Sequence, residues 1–197
     1  MSRVRRHVWV LCSLVLAGLA IFTVSAVSTP ESQAWWFEDG PGSGQRPPAF
    51  SAKDLTGTEQ TLAKYAGNVV VLHFWATWCG YCRAEIPKLK EVHQRWSSRG
   101  VTILAVSIDE DPARLRSFIK QALLPYEVIP DGENDFAISL EYGLVGVPLT
   151  YIIAPDGRVA LRFAGPADLT GAVERMLQDR ARNPRVQPSI QKDNPTE

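Results

Sequence analysis

Residues 68–77 read "NVVVLHFWAT", and two cysteines, Cys79 and Cys82, follow at once. A β-branched and aromatic run of this length without polar alternation predicts a strand covered on both faces, so the rest of the chain has to supply a layer on either side. The spacing then changes. From Gly80 to Arg99, Ile86, Leu89, Val92, His93 and Trp96 recur three or four residues apart, which predicts a helix kinked at Pro87 and ended by Gly100. The cysteines therefore fall where a buried strand turns into a helix. Unpartnered N–H groups at that end stabilise a thiolate, which makes Cys79 the candidate nucleophile. Three positions along a helix bring Cys82 over it at a Cβ separation of about 5–6 Å, close to disulfide geometry, so Cys82 is the candidate resolving thiol.

Around this centre the chain reads as strands and helices in alternation. "AFSAKDLTGTEQTL" predicts a small β-hairpin about a Thr-Gly turn ahead of the main sheet. "VTILAVSID" predicts a second buried strand, and "DPARLRSFIKQA" a helix with Asp111 as cap and Pro112 in its first turn. "ENDFAISLEYG" predicts a shorter helix. In "VPLTYIIAPDGRVALRFAG" two strands are joined around Asp156-Gly157, and "DLTGAVERMLQDRAR" is a last helix capped by Asp168. The sum is an α/β domain, a central mixed sheet flanked by helices on both faces with an N-terminal β-hairpin extension, over 48–182. Residues 183–197 are polar, contain Pro184, Pro188 and Pro195, and read as a flexible tail.

The N-terminus fixes the expected compartment. "MSRVRRH" places three arginines before about 20 uncharged residues, enough for one helical crossing, so 1–28 reads as a signal-anchor or transmembrane segment. Arginines ahead of the run keep that side cytoplasmic and send the domain outside. Small residues near Ala26 would permit cleavage, but the apolar run is longer than a signal core and favours a retained anchor. Cys12, within the run, reads as a small apolar residue. Trp35, Trp36 and Phe37 suit either a membrane interface or docking on the domain. Residues 29–47, rich in Gly and Pro, form a linker. The expected location is the inner (cytoplasmic) membrane, single-pass, with the domain on the periplasmic side. Acidic and basic residues balance at 21 each and lie interspersed, so no basic face points to nucleic acid.

Three uses of the cysteine pair compete. A structural staple is poor physics, because so short a loop loses little chain entropy on closure. Structural zinc needs a second pair, and the domain holds no other cysteine and only His73 and His93 besides, so no such metal site is assigned. A copper carrier with a Cys, Cys, His site for a soft metal stays open beside a redox dithiol.

The segment "VVVLHFWATWCGYCRAEIP", with Trp78 before the first cysteine and Pro87 five residues beyond the second, resembles the active-site segment of the thioredoxin superfamily. More narrowly, it resembles that of the membrane-anchored TlpA/ResA-like thiol-disulfide oxidoreductases related to the cytochrome c maturation protein CcmG. "VTILAVSID" and "GLVGVPLTYIIAPDGRV" resemble later family segments in the family's order. Peroxiredoxins share much of the strand and helix pattern, but their Pro and Thr motif is missing before Cys79.

The resemblance implies a thioredoxin-like fold and a redox-active Cys79–Cys82 disulfide as the only redox group, with no further cofactor. It also implies a cis Val147-Pro148 bond facing the cysteines and a substrate surface including Trp78, Val147 and Pro148. Glu85 matches the family's acidic residue near the dithiol, a solvated helix carboxylate being the alternative. His73 stands where thioredoxins carry aspartate and this group usually asparagine; it is either a titratable base or a hydrogen-bonded core histidine. Tyr81 stands where the family usually has proline, and "GY" between the cysteines also occurs in periplasmic disulfide isomerases. The implied activity is a protein-disulfide reductase acting on thiol/disulfide clients, with electrons from a membrane electron-transfer protein. An isomerase or oxidant and the copper carrier are the alternatives.

Overall fold

The computed structural model describes residues 40–182, so the anchor, the aromatic trio after it and the tail lie outside the described residues. Strands β1 (Ser51–Lys53) and β2 (Glu59–Thr61) pair antiparallel across a turn that Asp54 organises, its carboxylate accepting the N–H groups of Thr56 and Thr58. Gly57 there has φ +85°, a conformation that costs glycine little.

All seven residues of β3 (Val69–Trp75) are buried, as expected for a central strand covered on both faces. It lies parallel to β4 (Val101–Ser107) in the register Val69↔Val101 to Trp75↔Ser107, and β4 lies parallel to β5 (Glu127–Pro130). On its other side β3 pairs antiparallel with β6 (Leu149–Ile153), which continues into β7 (Val159–Ala164). The order β5-β4-β3-β6-β7 is thus a mixed five-stranded sheet.

Parallel neighbours need crossovers. Helix α1 (Gly80–Trp96) joins β3 to β4, and α2 (Pro112–Ala122) joins β4 to β5. Both steps move the same way along the sheet, and a constant crossover hand then puts both helices on one face. The contacts agree: Ile86, Leu89 and Val92 of α1 and Leu115 of α2 share a core with Val69, Val71, Trp75, Ile103 and Val128. The last helix, α4 (Leu169–Arg182), adds Leu169, Ala172 and Val173 to the same layer. Val70, Leu72, Phe74, Leu104 and Tyr151 point the other way, onto Ile138 and Tyr142 around α3 (Ala137–Glu141), with Phe50 and Ala52 packed alongside. Each fully buried leucine or valine in these layers contributes about 1.5–3 kcal/mol.

One local expectation changes, at α3, and one strand, β5, has no counterpart in the sequence reading. The segment "YEVIP" contains β5, an edge strand of four residues too short to show a period, with Pro130 where an edge tolerates it. The stretch "ENDFAISLEYG" does not begin as a helix. A 3₁₀ turn at Asp131–Asn134 is followed by Asp135 and Phe136 at φ 51° and 57°, and α3 starts only at Ala137. Asp131 sets that start, because its buried carboxylate accepts the N–H groups of Ile138 at 3.0 Å and Ser139 at 2.8 Å. Helix α1 continues through Pro87 as one element. Pro87 and Arg83 both lie on its exposed side, where water can take the carbonyl that proline leaves without a donor.

Candidate active site

Cys79 is the residue immediately ahead of α1, in extended conformation, and its sulfur accepts the Cys82 N–H at 3.1 Å. It therefore acts as the helix cap, where the end of the helix favours negative charge. A disulfide joins the two cysteines, with Cα atoms 5.3 Å apart. Their surroundings differ: Cys82 is 0 % exposed and Cys79 7 %. An external sulfur can therefore reach Cys79 and not Cys82.

Across from the disulfide, the Val147–Pro148 peptide bond is cis, and the Val147 carbonyl oxygen lies 3.7 Å from Cys79 Sγ. Pro148 itself is buried. Among the described residues neither peptide group of Val147 has a backbone hydrogen-bond partner. Trp78 and Tyr81 flank Cys79 in the chain and Val145 precedes Val147 by two residues; all three are large hydrophobic side chains left exposed. Uncharged apolar surface thus adjoins the accessible sulfur.

His73 is on β3, on the same face as Val71 and Trp75 and so toward α1. It is 1 % exposed, and its Nδ1 lies 2.9 Å from Oγ1 of Thr150, the residue paired with it on β6. Burial pushes its pKa from 6.5 down to about 4, so the ring is neutral near pH 7. Its contacts are those of a hydrogen-bonded core histidine.

Glu85 is not a solvated helix carboxylate. It is 2 % exposed, its Oε1 accepts the Ala167 N–H at 2.8 Å, and its Oε2 is buried with no hydrogen-bond partner among the described residues. Burial raises its pKa, while the Ala167 hydrogen bond and the Lys88 charge pull the other way. A carboxyl so placed can hold a proton that an exposed one would lose.

Sequence patterning passes over Asp109 and Thr77. Two residues beyond β4, Asp109 is 2 % exposed and accepts the Thr77 N–H at 2.9 Å, the Thr77 hydroxyl at 2.6 Å and the Ser107 hydroxyl at 2.8 Å. It thereby holds the turn that leads into Cys79. An acidic residue directly after an apolar strand, where few carboxylates are buried, is the signal that could have marked it. The other domain histidine, His93, lies beside Tyr126, its ring tilted by 56° with the ring centroids 6.3 Å apart. Among the described residues no group of three or more His, Cys, Asp or Glu side chains is arranged to hold a metal ion.

The family model described as the AhpC/TSA family matches residues 43–162. The thiol-disulfide oxidoreductase ResA of Bacillus thuringiensis subsp. konkukian (strain 97-27) is 33% identical over 122 residues, 62% of this chain and 69% of that protein. Among solved structures, the thioredoxin domain of a thiol-disulfide oxidoreductase from Bacteroides vulgatus superposes with a TM-score of 0.63 at 25% identity, over 68% of this chain and 96% of that one. A thioredoxin family thiol:disulfide interchange protein from Chlorobium tepidum TLS gives 0.60 at 26% identity, over 68% and 94%.

Proposed function

The chain belongs to the AhpC/TSA family and, within the thioredoxin superfamily, to the ResA-like thiol-disulfide oxidoreductases, and from that premise we propose that it reduces disulfides in client proteins outside the cytoplasm. The observation that carries this reading is the asymmetry of the pair, an accessible Cys79 beside the Val147 carbonyl and a sealed Cys82. In the reduced form the Cys79 thiolate attacks one sulfur of a client disulfide. The client's S–S bond breaks, a mixed disulfide forms, and the departing client sulfur takes a proton. Cys82 then gives up its proton and attacks Cys79 Sγ, releasing the second client thiol and forming Cys79–Cys82. Two electrons and two protons pass to the client.

An extended client segment can lie along the free peptide groups of Val147, with Trp78 and Pro148 beside its cysteine, as in strand addition. Glu85 and His73 are the bases proposed to take the Cys82 proton. Glu85 has the stronger case, because its Oε2 is desolvated, with no hydrogen-bond partner among the described residues. The dithiol is the only redox group required. Anchored through 1–28 in the inner membrane with the domain on the periplasmic side, the protein would receive electrons from a membrane electron-transfer protein. Clients are apocytochrome c, copper-site proteins or other thiol proteins.

Trapping tests this. With Cys82→Ser expressed in the native host, Cys79 should accumulate client proteins as mixed disulfides released by dithiothreitol. Recovery of no disulfide-linked client would refute the reading. Tight copper(I) binding by the reduced protein together with sluggish exchange against glutathione would replace it with the copper carrier.

A further inference from the structure

We propose that Asp109 is a positioning residue for the dithiol, fixing the approach of Cys79 through Thr77 and restraining its ionisation. The proposal rests on Cys79 being the nucleophile, and it goes beyond the roles of Glu85 and His73.

Residues 76–79 form a turn, in which the Cys79 N–H bonds to the Ala76 carbonyl at 3.2 Å. Regular pairing of β3 with β4 stops at Trp75↔Ser107, one residue before this turn. Past that point, the Ile108 N–H reaches the Trp75 carbonyl at 3.0 Å, and Asp109 takes over the tie to the turn. Its Oδ2 accepts the Thr77 N–H, its Oδ1 accepts the Thr77 hydroxyl, and the Ser107 hydroxyl donates to Oδ2 while accepting the Asp109 N–H. Every contact of this carboxylate is a donor pointing at it, the pattern that an ionised acid needs in order to be buried.

The backbone of Asp109 is held as well. A Cβ on Gly132 would run into the Asp109 carbonyl oxygen, so the next turn packs directly against it. Asp109 thus joins the end of β4 and the turn after β5 to the entry of α1. Thr77 is two residues from Cys79, and a carboxylate on its N–H lies roughly 8 Å from the sulfur. A negative charge at that range inside the protein opposes thiolate formation by about one pKa unit.

Among the described residues no other charged side chain is hydrogen-bonded to the turn at Thr77. Asp131, on the adjoining turn, is engaged by Ile138 and Ser139, Glu133 lies 3.7 Å from Arg116, and Glu110 and Asp111 are exposed. Lys53 and Arg116, near that turn, reach neither Thr77 nor Asp109 by a hydrogen bond among those described. From the α1 side, Glu85 and Lys88 face Ala167 and Arg83 is exposed, while His73 on β3 is bonded to Thr150.

The test uses the full reduced chain and follows carbamidomethylation of Cys79 by iodoacetamide from pH 5 to 10, with mass spectrometry to tell Cys79 from Cys82. Asp109→Asn keeps the shape and an acceptor while removing the charge, and should lower the Cys79 pKa by about one unit. Asp109→Ala releases the turn and should slow reduction of oxidised glutathione at matched thiolate fraction about tenfold. Thr77→Val removes only the hydroxyl contact and should give a smaller loss of the same kind; it decides the matter if Asp109→Ala does not fold. Folded Asp109→Asn and Thr77→Val proteins with the wild-type titration and exchange rate would overturn the proposal. Preferential alkylation of Cys82 in the wild type would instead overturn the assignment of Cys79 as nucleophile.

Discussion

Acid should destabilise this domain through His73 in a way that His73→Asn abolishes. The folded protein keeps the ring neutral down to about 4, whereas the unfolded chain protonates it near the ordinary 6.5. Between those values the unfolded state binds more protons, so the stabilising contribution of the neutral ring is complete above about pH 6.5 and is lost as pH falls toward 4. The slope is about 1.4 kcal/mol per pH unit, and over the whole interval the loss is about 3 kcal/mol. Domains of this kind are stable by only about 5–15 kcal/mol, so such a loss is a large fraction of the total. Asparagine preserves a hydrogen bond to Thr150 and cannot titrate. The assay is guanidinium denaturation of both oxidised proteins at half-unit steps from pH 7.5 to 4. Carboxylates that titrate in both cancel in the difference between the two curves. That difference should change by about 3 kcal/mol across the range. Parallel curves would refute the reasoning, because they would mean that the ring protonates in place or that the fold opens around it.

Further expectations concern other sites. Glu85→Gln removes a carboxyl whose pKa burial raises; the thiolate titration of Cys79 should move down by on the order of half a unit, and an unchanged titration would reject a charge effect. The sign for stability also follows: the wild type loses stability relative to the glutamine variant as pH rises through the raised Glu85 pKa, readable in the same denaturation series. For Asp54, burial raises the pKa but the hydrogen bonds from Thr56, Gln60 and Thr58 together outweigh it and bring it below the ordinary value. Asp54→Ala should cost about 1–3 kcal/mol at pH 7, and the cost should shrink as pH falls below the usual carboxylate range. Gly132→Ala drives a methyl group into the Asp109 carbonyl and should lower stability by about 1–3 kcal/mol, measured by denaturation midpoint. Leu89→Ala, at a residue 1 % exposed on α1, should cost about 2–5 kcal/mol through the cavity it leaves.

Long buried segments were legible in the sequence because their pattern is local. Strand β3 shows itself by an unbroken apolar run, and α1 by a 3.6-residue spacing whose register also places Cys82 over Cys79. Strand β5 was not legible. It exists because β4 offers it an edge, and its four residues carry no periodicity of their own. The late start of α3 was hidden for a similar reason, since Asp131 caps it from seven residues upstream. At the site, burial separates what could be read from what could not. Glu85 was placed near the dithiol by its position on α1, yet whether it is solvated depends on Ala167, 82 residues away.

The same distinction explains how one fold can set the reactivity of a two-residue-spaced thiol pair. The motif supplies the sulfurs and the helix end, which is common to any strand-to-helix turn and favours the thiolate at Cys79. The groups proposed to oppose or relay that charge come from elsewhere in the chain: His73 from within β3, Glu85 through its tie to the loop before α4, and Asp109 from the end of β4. All three are nearly sealed from water, where a charge acts with far less screening than at the surface. Each also keeps its own hydrogen-bond partner, so its position does not depend on the cysteines. Replacing Glu85 by glutamine therefore leaves the turn at Thr77 in place, whereas replacing Asp109 by alanine releases it. Tyr81, in contrast, is exposed between the cysteines and packs into neither core, so its replacement acts on what meets the disulfide from outside.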